Sequence, residues 1–164
     1  MSGHNGTISR IVVGVDGSPS SLAALHWAVR QAGLTGGTVQ AVIAWQYPVA
    51  LSGYAWVPVP VVEAADCEEI AQKTVAEAIS TVGDAGKDVR ISSRVVGGNP
   101  AQVLIDAAAD ADLLVVGSRG HGGFAGALLG SVSQHCVHHA RCPVVVIRGG
   151  TKGLPRLVPR ARAL

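Results

Sequence analysis

The residues with the most chemistry in them run from Asp112 to Ser133, DLLVVGSRGHGGFAGALLGSVS. Four apolar residues, Leu113–Val116, lead into Gly117, Gly120, Gly122, Gly123, Gly126 and Gly130, and then into Ser131. An unbroken apolar run is what a parallel strand covered on both faces requires. Glycine lets the chain turn with positive φ and lets backbone come close to a ligand. Ser131 stands where the N-cap of a following helix, Val132–Ala140, belongs. Strand, N–H-rich loop and helix N-terminus together make an anion site, and phosphate is the usual anion. The plainer reading is that the glycines serve only a tight turn and close helix packing.

Three other groups invite chemistry. Asp16, at the end of an apolar run and before Gly17-Ser18-Pro19-Ser20, could position Mg²⁺ or a water beside phosphates, or could only cap that turn. His135, Cys136, His138, His139 and Cys142 crowd one helix and its end. His135 and His139 share a face at i, i+4, a spacing that can hold a metal. No C-x2-C pair or nearby acid supports it, so the expectation is no metal centre: Cys136 and Val137 pack inward and the histidines face solvent or a partner chain. His26 reads as a surface or packing residue. No catalytic residue is assigned, because Asp106, Asp110 and Asp112 have turn or helix explanations and no Ser/His/Asp arrangement stands out.

Two familiar phosphate patterns fail. Gly120-x-Gly122-x3-Gly126 mimics a dinucleotide fingerprint, which needs an acid about 20 positions on. No Asp or Glu follows Asp112. A G-x4-G-K-[ST] loop is absent, so fast phosphoryl transfer lacks its lysine.

Positioning these groups takes alternating strands and helices. The patterning predicts strands at Arg10–Asp16, Thr38–Trp45, Asp88–Val96, Asp112–Gly117 and Pro143–Arg148. Helices are expected at Ser21–Ala32, Glu63–Val82, Ala101–Asp110 and Val132–Ala140, with Asn99 as N-cap and Pro100 at a first helical position. A long proline-containing connection fills 46–61. This order is that of an α/β domain with a mainly parallel sheet and helices on both faces. In such a sheet a ligand sits beyond the carboxyl ends of the strands where strand order reverses. Asp16 and Gly117 end the two candidate strands.

Length, 164 residues, fits one domain. The expected organisation is a flexible leader at 1–9, a domain at 10–148 and a basic tail at 149–164. No signal-peptide core or membrane-spanning run is present, and three cysteines at no disulfide-like spacing fit a reducing, cytoplasmic setting. The net charge of +2 is uneven: all acids lie at or before Asp112, and the glycine-loop half carries only Arg and Lys. Nothing there repels an anion. The tail's Lys152, Arg156, Arg160 and Arg162 lack interleaved aromatics, so no nucleic-acid partner is expected.

The spacing Gly117-x2-Gly120-x9-Gly130-Ser131 resembles the nucleotide-binding signature of the universal stress protein family. IVVGVDGSPSSLAALHWA resembles that family's opening strand, turn and helix, and SVSQHCVHHARCPVVVIR its closing helix and strand. The resemblance implies an open five-stranded parallel sheet in the order 3-2-1-4-5, adenine-nucleotide alpha-hydrolase-like, with ATP between strands one and four. By position, Gly117, Ser118, Arg119, Gly120, His121, Gly122 and Gly123 would wrap the phosphates. Gly130, Ser131 and Val132 would complete the cradle. Gly14 and Asp16 would lie against the nucleoside, Asp16 touching the ribose or a bridging Mg²⁺, and Val42 would flank adenine and offer backbone atoms to its edge. The resemblance also implies a homodimer through the last strand, Val144, Val145, Val146 and Ile147.

The function expected from all this is ATP binding by a stress-response sensor or regulator with slow or no hydrolysis. The alternatives are a weak Mg²⁺-dependent ATPase using Asp16, a nucleotide-free interaction module, and a cyclic nucleotide as the true ligand.

Overall fold

A computed structural model describes residues 9–46, 63–120 and 128–149. The elements are β1 (Arg10–Gly14), α1 (Pro19–Thr35), β2 (Thr38–Trp45), α2 (Ala64–Ser80), β3 (Arg90–Gly97), α3 (Pro100–Ala107), β4 (Leu113–Gly117), α4 (Ser131–His139) and β5 (Val144–Ile147). All strand pairs are parallel and the order is β3-β2-β1-β4-β5. The sheet is therefore the expected one.

Alternation along the strands divides the core in two. Ile11 and Val13 of β1, with Leu113 and Val115 of β4, face α1 and α2 through Leu25, Val29 and Val75. Val12, Leu114 and Val116 face the other side and meet Leu104 of α3 and Cys136 of α4. Leu113–Val116 are all buried, as a central strand under helices on both faces must be.

Local signals set most boundaries. Ser18 caps α1 by accepting from the Ser21 N–H at 3.3 Å, and Pro19 follows at the first helical position. The helix thus begins before Ser21. It also runs through Gly33 to Thr35, where Gly36 at φ 72° closes it in the left-handed region. Asn99 caps α3, its Oδ1 accepting from the N–H groups of Ala101 at 3.1 Å and Gln102 at 3.2 Å. That helix stops at Ala107, short of Asp110, where the chain turns through Ala108. β3 starts at Arg90 rather than Asp88 and extends to Gly97, whose pairing with Trp45 completes the β2 register.

One expectation about packing is corrected. Val137 does not point inward; it is 47% exposed. The helix phase buries Ser133 and Cys136, at i and i+3, and rotates Val137 away from Leu104 and Leu114. His26 is a surface contact, its Nε2 lying 2.9 Å from Thr81 Oγ1. Among the described residues, no helix is long and apolar enough to cross a membrane. The connection at 47–62 lies outside the described residues, as do 1–8 of the expected leader and 150–164 of the expected tail.

Candidate functional site

The sheet opens at one place. β1 pairs with β4 only from Ile11–Leu113 to Val13–Val115. On their outer sides both strands stay paired further: β1 with β2 through Gly14–Val42, and β4 with β5 through Gly117–Ile147. Beyond Val13 and Val115 the two strands part. The strand order reverses between them, which is where a doubly wound sheet offers a ligand crevice. A cavity of about 270 Å³ fills the gap. Val42, Ala44, Leu104 and Val116 give it an apolar floor. Gly14, Val15, Asp16, Ser18 and Ser21 form one wall, and Gly117, Arg119, Gly120 and Gly130–Ser133 the other.

The second wall is the start of α4. Gly130, not Ser131, is the N-cap, with extended backbone at φ −72° and ψ 166°. The Gly130 carbonyl accepts from the Gln134 N–H at 3.0 Å and from Ser133 Oγ at 2.9 Å, which moves the helix start one residue earlier than Ser131 alone suggests. No side chain caps this helix. Its first-turn N–H groups, on Ser131, Val132 and Ser133, have no acceptor within the helix by its geometry. They are the donors an anion would use.

Part of the expected cradle is spent on the protein itself. Ser118 is buried and does not line the cavity. Its N–H donates to the Ile147 carbonyl at 2.7 Å, and its carbonyl accepts from the Gly130 N–H at 2.7 Å. These two N–H groups therefore hold the loop rather than face a ligand.

The first wall is a serine-rich turn clasping the loop. Asp16 Oδ1 accepts from the Ser18 N–H at 2.9 Å and from Ser18 Oγ, so the carboxylate does cap the turn. Ser20 Oγ donates to the Arg119 carbonyl, with Ser18 Oγ 3.4 Å from the same oxygen. Backbone approach here is close enough to exclude side chains. A Cβ on Gly117 would lie 2.5 Å from Ser20 Oγ and 2.8 Å from both the Ser20 carbonyl carbon and the Ser21 nitrogen. A Cβ on Gly120 would lie 2.8 Å from Asp16 Oδ2. Gly149, just past β5, also presses on Ser20, where a Cβ would overlap its Cα and N. Gly117 is thus glycine because α1 begins against it.

Of the residues singled out from sequence, Gly14, Asp16, Val42, Gly117, Arg119, Gly120, Gly130, Ser131 and Val132 meet at this cavity. His121, Gly122 and Gly123 lie outside the described residues. One role is corrected. Val42 pairs on both sides, with Gly14 of β1 and Arg94 of β3, and its carbonyl accepts from the Val15 N–H at 2.9 Å. It offers the cavity a side chain, not backbone atoms. Two residues on, Ala44 turns its N–H and C=O to the same side by strand alternation. There β1 has ended, and among the described residues no chain pairs with Ala44 from that side. Ala44, with Ser18, Ser21, Pro100, Leu104, Val116 and Ser133, was not anticipated. Alternation from Val42 points to Ala44 once the end of β1 is known.

The histidine and cysteine cluster does not reach the cavity. Cys136 is fully buried, and burial, with a smaller contribution from Cys142, pushes its thiol up to about 11. Burial likewise raises Cys142. His135, His138 and His139 are exposed. Among the described residues, no three His, Cys, Asp or Glu side chains converge as a metal centre.

Residues 7–148 match the model of the Universal stress protein family. A universal stress protein of Mycobacterium tuberculosis (strain ATCC 25618 / H37Rv) is 38% identical over 138 residues. That match covers 84% of this chain and 45% of that protein, so the chain spans about half the length of the curated relatives it matches. The crystal structure of a universal stress protein in complex with cAMP aligns with a TM-score of 0.67 at 28% identity, covering 88% of this chain and 99% of that one. The universal stress protein from Archaeoglobus fulgidus in complex with dAMP aligns with a TM-score of 0.62 at 24% identity, covering 86% and 98%. At that identity the likeness is one of fold.

Proposed function

This chain belongs to the universal stress protein family, and on that premise we propose that it binds an adenine nucleotide, ATP above all, in the crevice between β1 and β4. The observation that carries the reading is the uncapped first turn of α4 facing that crevice. The N–H groups of Ser131, Val132 and Ser133 take phosphate oxygens, aided by the positive end of the helix dipole. Arg119 and Gly120 stand at the same wall. The adenine ring lies on the floor of Val42, Leu104 and Val116, with its edge against the backbone of Ala44. Gly14 and Asp16 border the sugar. The likeness to a structure holding cAMP supports an adenine nucleotide of some kind.

The donor set fits Mg²⁺, which binds through one or two carboxylates plus phosphate oxygens and water. Asp16 is the carboxylate among the described lining residues. When bound, the ion would neutralise phosphate charge. Asp16 itself holds the turn that carries Ser18 and Ser20 against the loop. No lysine and no second acid lines the described part of the crevice. The proposed activity is binding with slow or no hydrolysis, as in a sensor or regulator of the stress response working in the cytoplasm. The half-exposed edge formed by Val144–Ile147 serves a homodimer.

Calorimetric titration with ATP tests the reading. Saturable binding is expected, and absence of heat at millimolar ATP would end it. Parallel titrations with AMP and cAMP decide the second reading, a cyclic nucleotide, which the cAMP-bound relative favours.

A further inference from the structure

α4 carries two histidines that the crevice leaves unused. His135 and His139 are one helical turn apart and exposed, with ring centroids 4.4 Å apart and planes tilted by 41°. We propose that they form a clamp for a divalent transition cation of borderline softness, the class of Zn²⁺, Ni²⁺ and Cu²⁺.

The geometry comes first. An imidazole nitrogen binds such a cation at about 2.0–2.1 Å, which puts the ring centre about 3.2 Å from the metal. Two rings at the right angle of tetragonal or square-planar Ni²⁺ or Cu²⁺ then have centroids about 4.5 Å apart, and at the tetrahedral angle of Zn²⁺ about 5.2 Å. The observed 4.4 Å is close to the right-angle spacing. The i, i+4 spacing is also the one by which two histidines of a single helix share a zinc ion.

The surroundings favour a cation. α4 ends at His139, and the carbonyl end of a helix carries partial negative charge. Across a groove of about 500 Å³, α3 presents Asp106, whose Oδ1 accepts from Gln102 Nε2 at 2.8 Å. Arg141 lines the same groove and offsets that carboxylate. The histidine pair therefore decides the affinity, and the groove leaves room for water on the remaining positions. With two protein ligands the ion is exchangeable rather than structural, since closed structural sites use four. His138, its ring centre 6.3 Å from that of His139, stands outside the right-angle arrangement.

The test is calorimetric titration of the full chain with NiCl₂ in a non-chelating buffer. One saturable site at micromolar cation is expected. His135→Ala and His139→Ala should each weaken it by at least about tenfold. His138→Ala should leave it unchanged, and circular dichroism melts should show all three variants folded, because all three side chains are exposed. No saturable uptake by the wild-type chain would overturn the proposal. So would wild-type affinity in both single variants, which would put the ion on other ligands.

Discussion

Gly117→Ala and Gly130→Ala should separate folding from binding, although both change a glycine of the same motif. At Gly117 the new methyl would stand 2.5 Å from Ser20 Oγ and 2.8 Å from two backbone atoms of the first turn of α1. Ordinary contacts begin near 3.4 Å, so the helix start must retreat by several tenths of an ångström. It cannot do so freely, because Ser18 caps it and Ser20 Oγ is bonded to the Arg119 carbonyl. Overpacking of this kind costs about 1–3 kcal/mol. For a domain of this size that lowers Tm by about 2–12 °C. At Gly130 the backbone is extended and suits any residue, and the nearest atom to a Cβ is Ser118 O at 3.5 Å. Ala is a poorer N-cap than Gly, so stability should fall, but by no more than about 1 kcal/mol. The methyl nevertheless projects toward Arg119 and Gly120, so ATP affinity should fall by about tenfold or more, the loss of about 1.4 kcal/mol of binding free energy. Thermal melts and calorimetry with ATP on both variants give the comparison. Equal Tm for Gly117→Ala and wild type, or wild-type ATP affinity in a well-folded Gly130→Ala, would refute the steric reasoning.

Other outcomes follow from single contacts. Asn99→Ala should lower stability by about 1 kcal/mol in urea unfolding, since it removes the acceptor for two N–H groups of α3, and Asn99→Asp should restore most of it. Cys136 should resist a thiol reagent at pH 8 in the native protein while Cys67 and Cys142 react first, and a fast-reacting Cys136 would contradict its burial. The same burial sets a pH dependence. The unfolded thiol ionises near 9.0 and the folded one near 11, so above pH 9 the unfolded state binds fewer protons and stability falls as pH rises toward 11. Cys136→Ala should flatten that part of the stability profile; an unchanged slope would mean other groups cause it.

Much of the fold was legible because certain residues leave the chain few choices. Asn99-Pro100 dictates a helix start, and Leu113–Val116 can only be a strand with apolar cover on both faces. The glycine spacing likewise marked the end of β4, beside which the cavity opens. What stayed hidden depends on contacts far apart in the chain. That Val42 is closed and Ala44 open turns on where β1 stops, which the sequence of β2 does not encode. Ser118 sits among glycines and reads as exposed loop, yet Ile147, from a strand nearly thirty residues later, fixes its N–H inside. The helix start at Gly130 was obscured by a good capping residue next to it. Val137 faces out because two small residues, Ser133 and Cys136, set the phase of α4 more firmly than one valine.

The contact between Gly149 and Ser20 has a practical consequence for anyone extending the chain. Whatever is joined directly after Arg148 inherits position 149, and any residue other than glycine there drives a side chain into the turn that Asp16, Ser18 and Arg119 share. A fluorescent reporter or purification handle spliced at that junction would disturb the crevice from outside while leaving every residue lining it intact. Attached beyond Gly149, the same appendage would leave Ser20 its neighbour and the turn its shape.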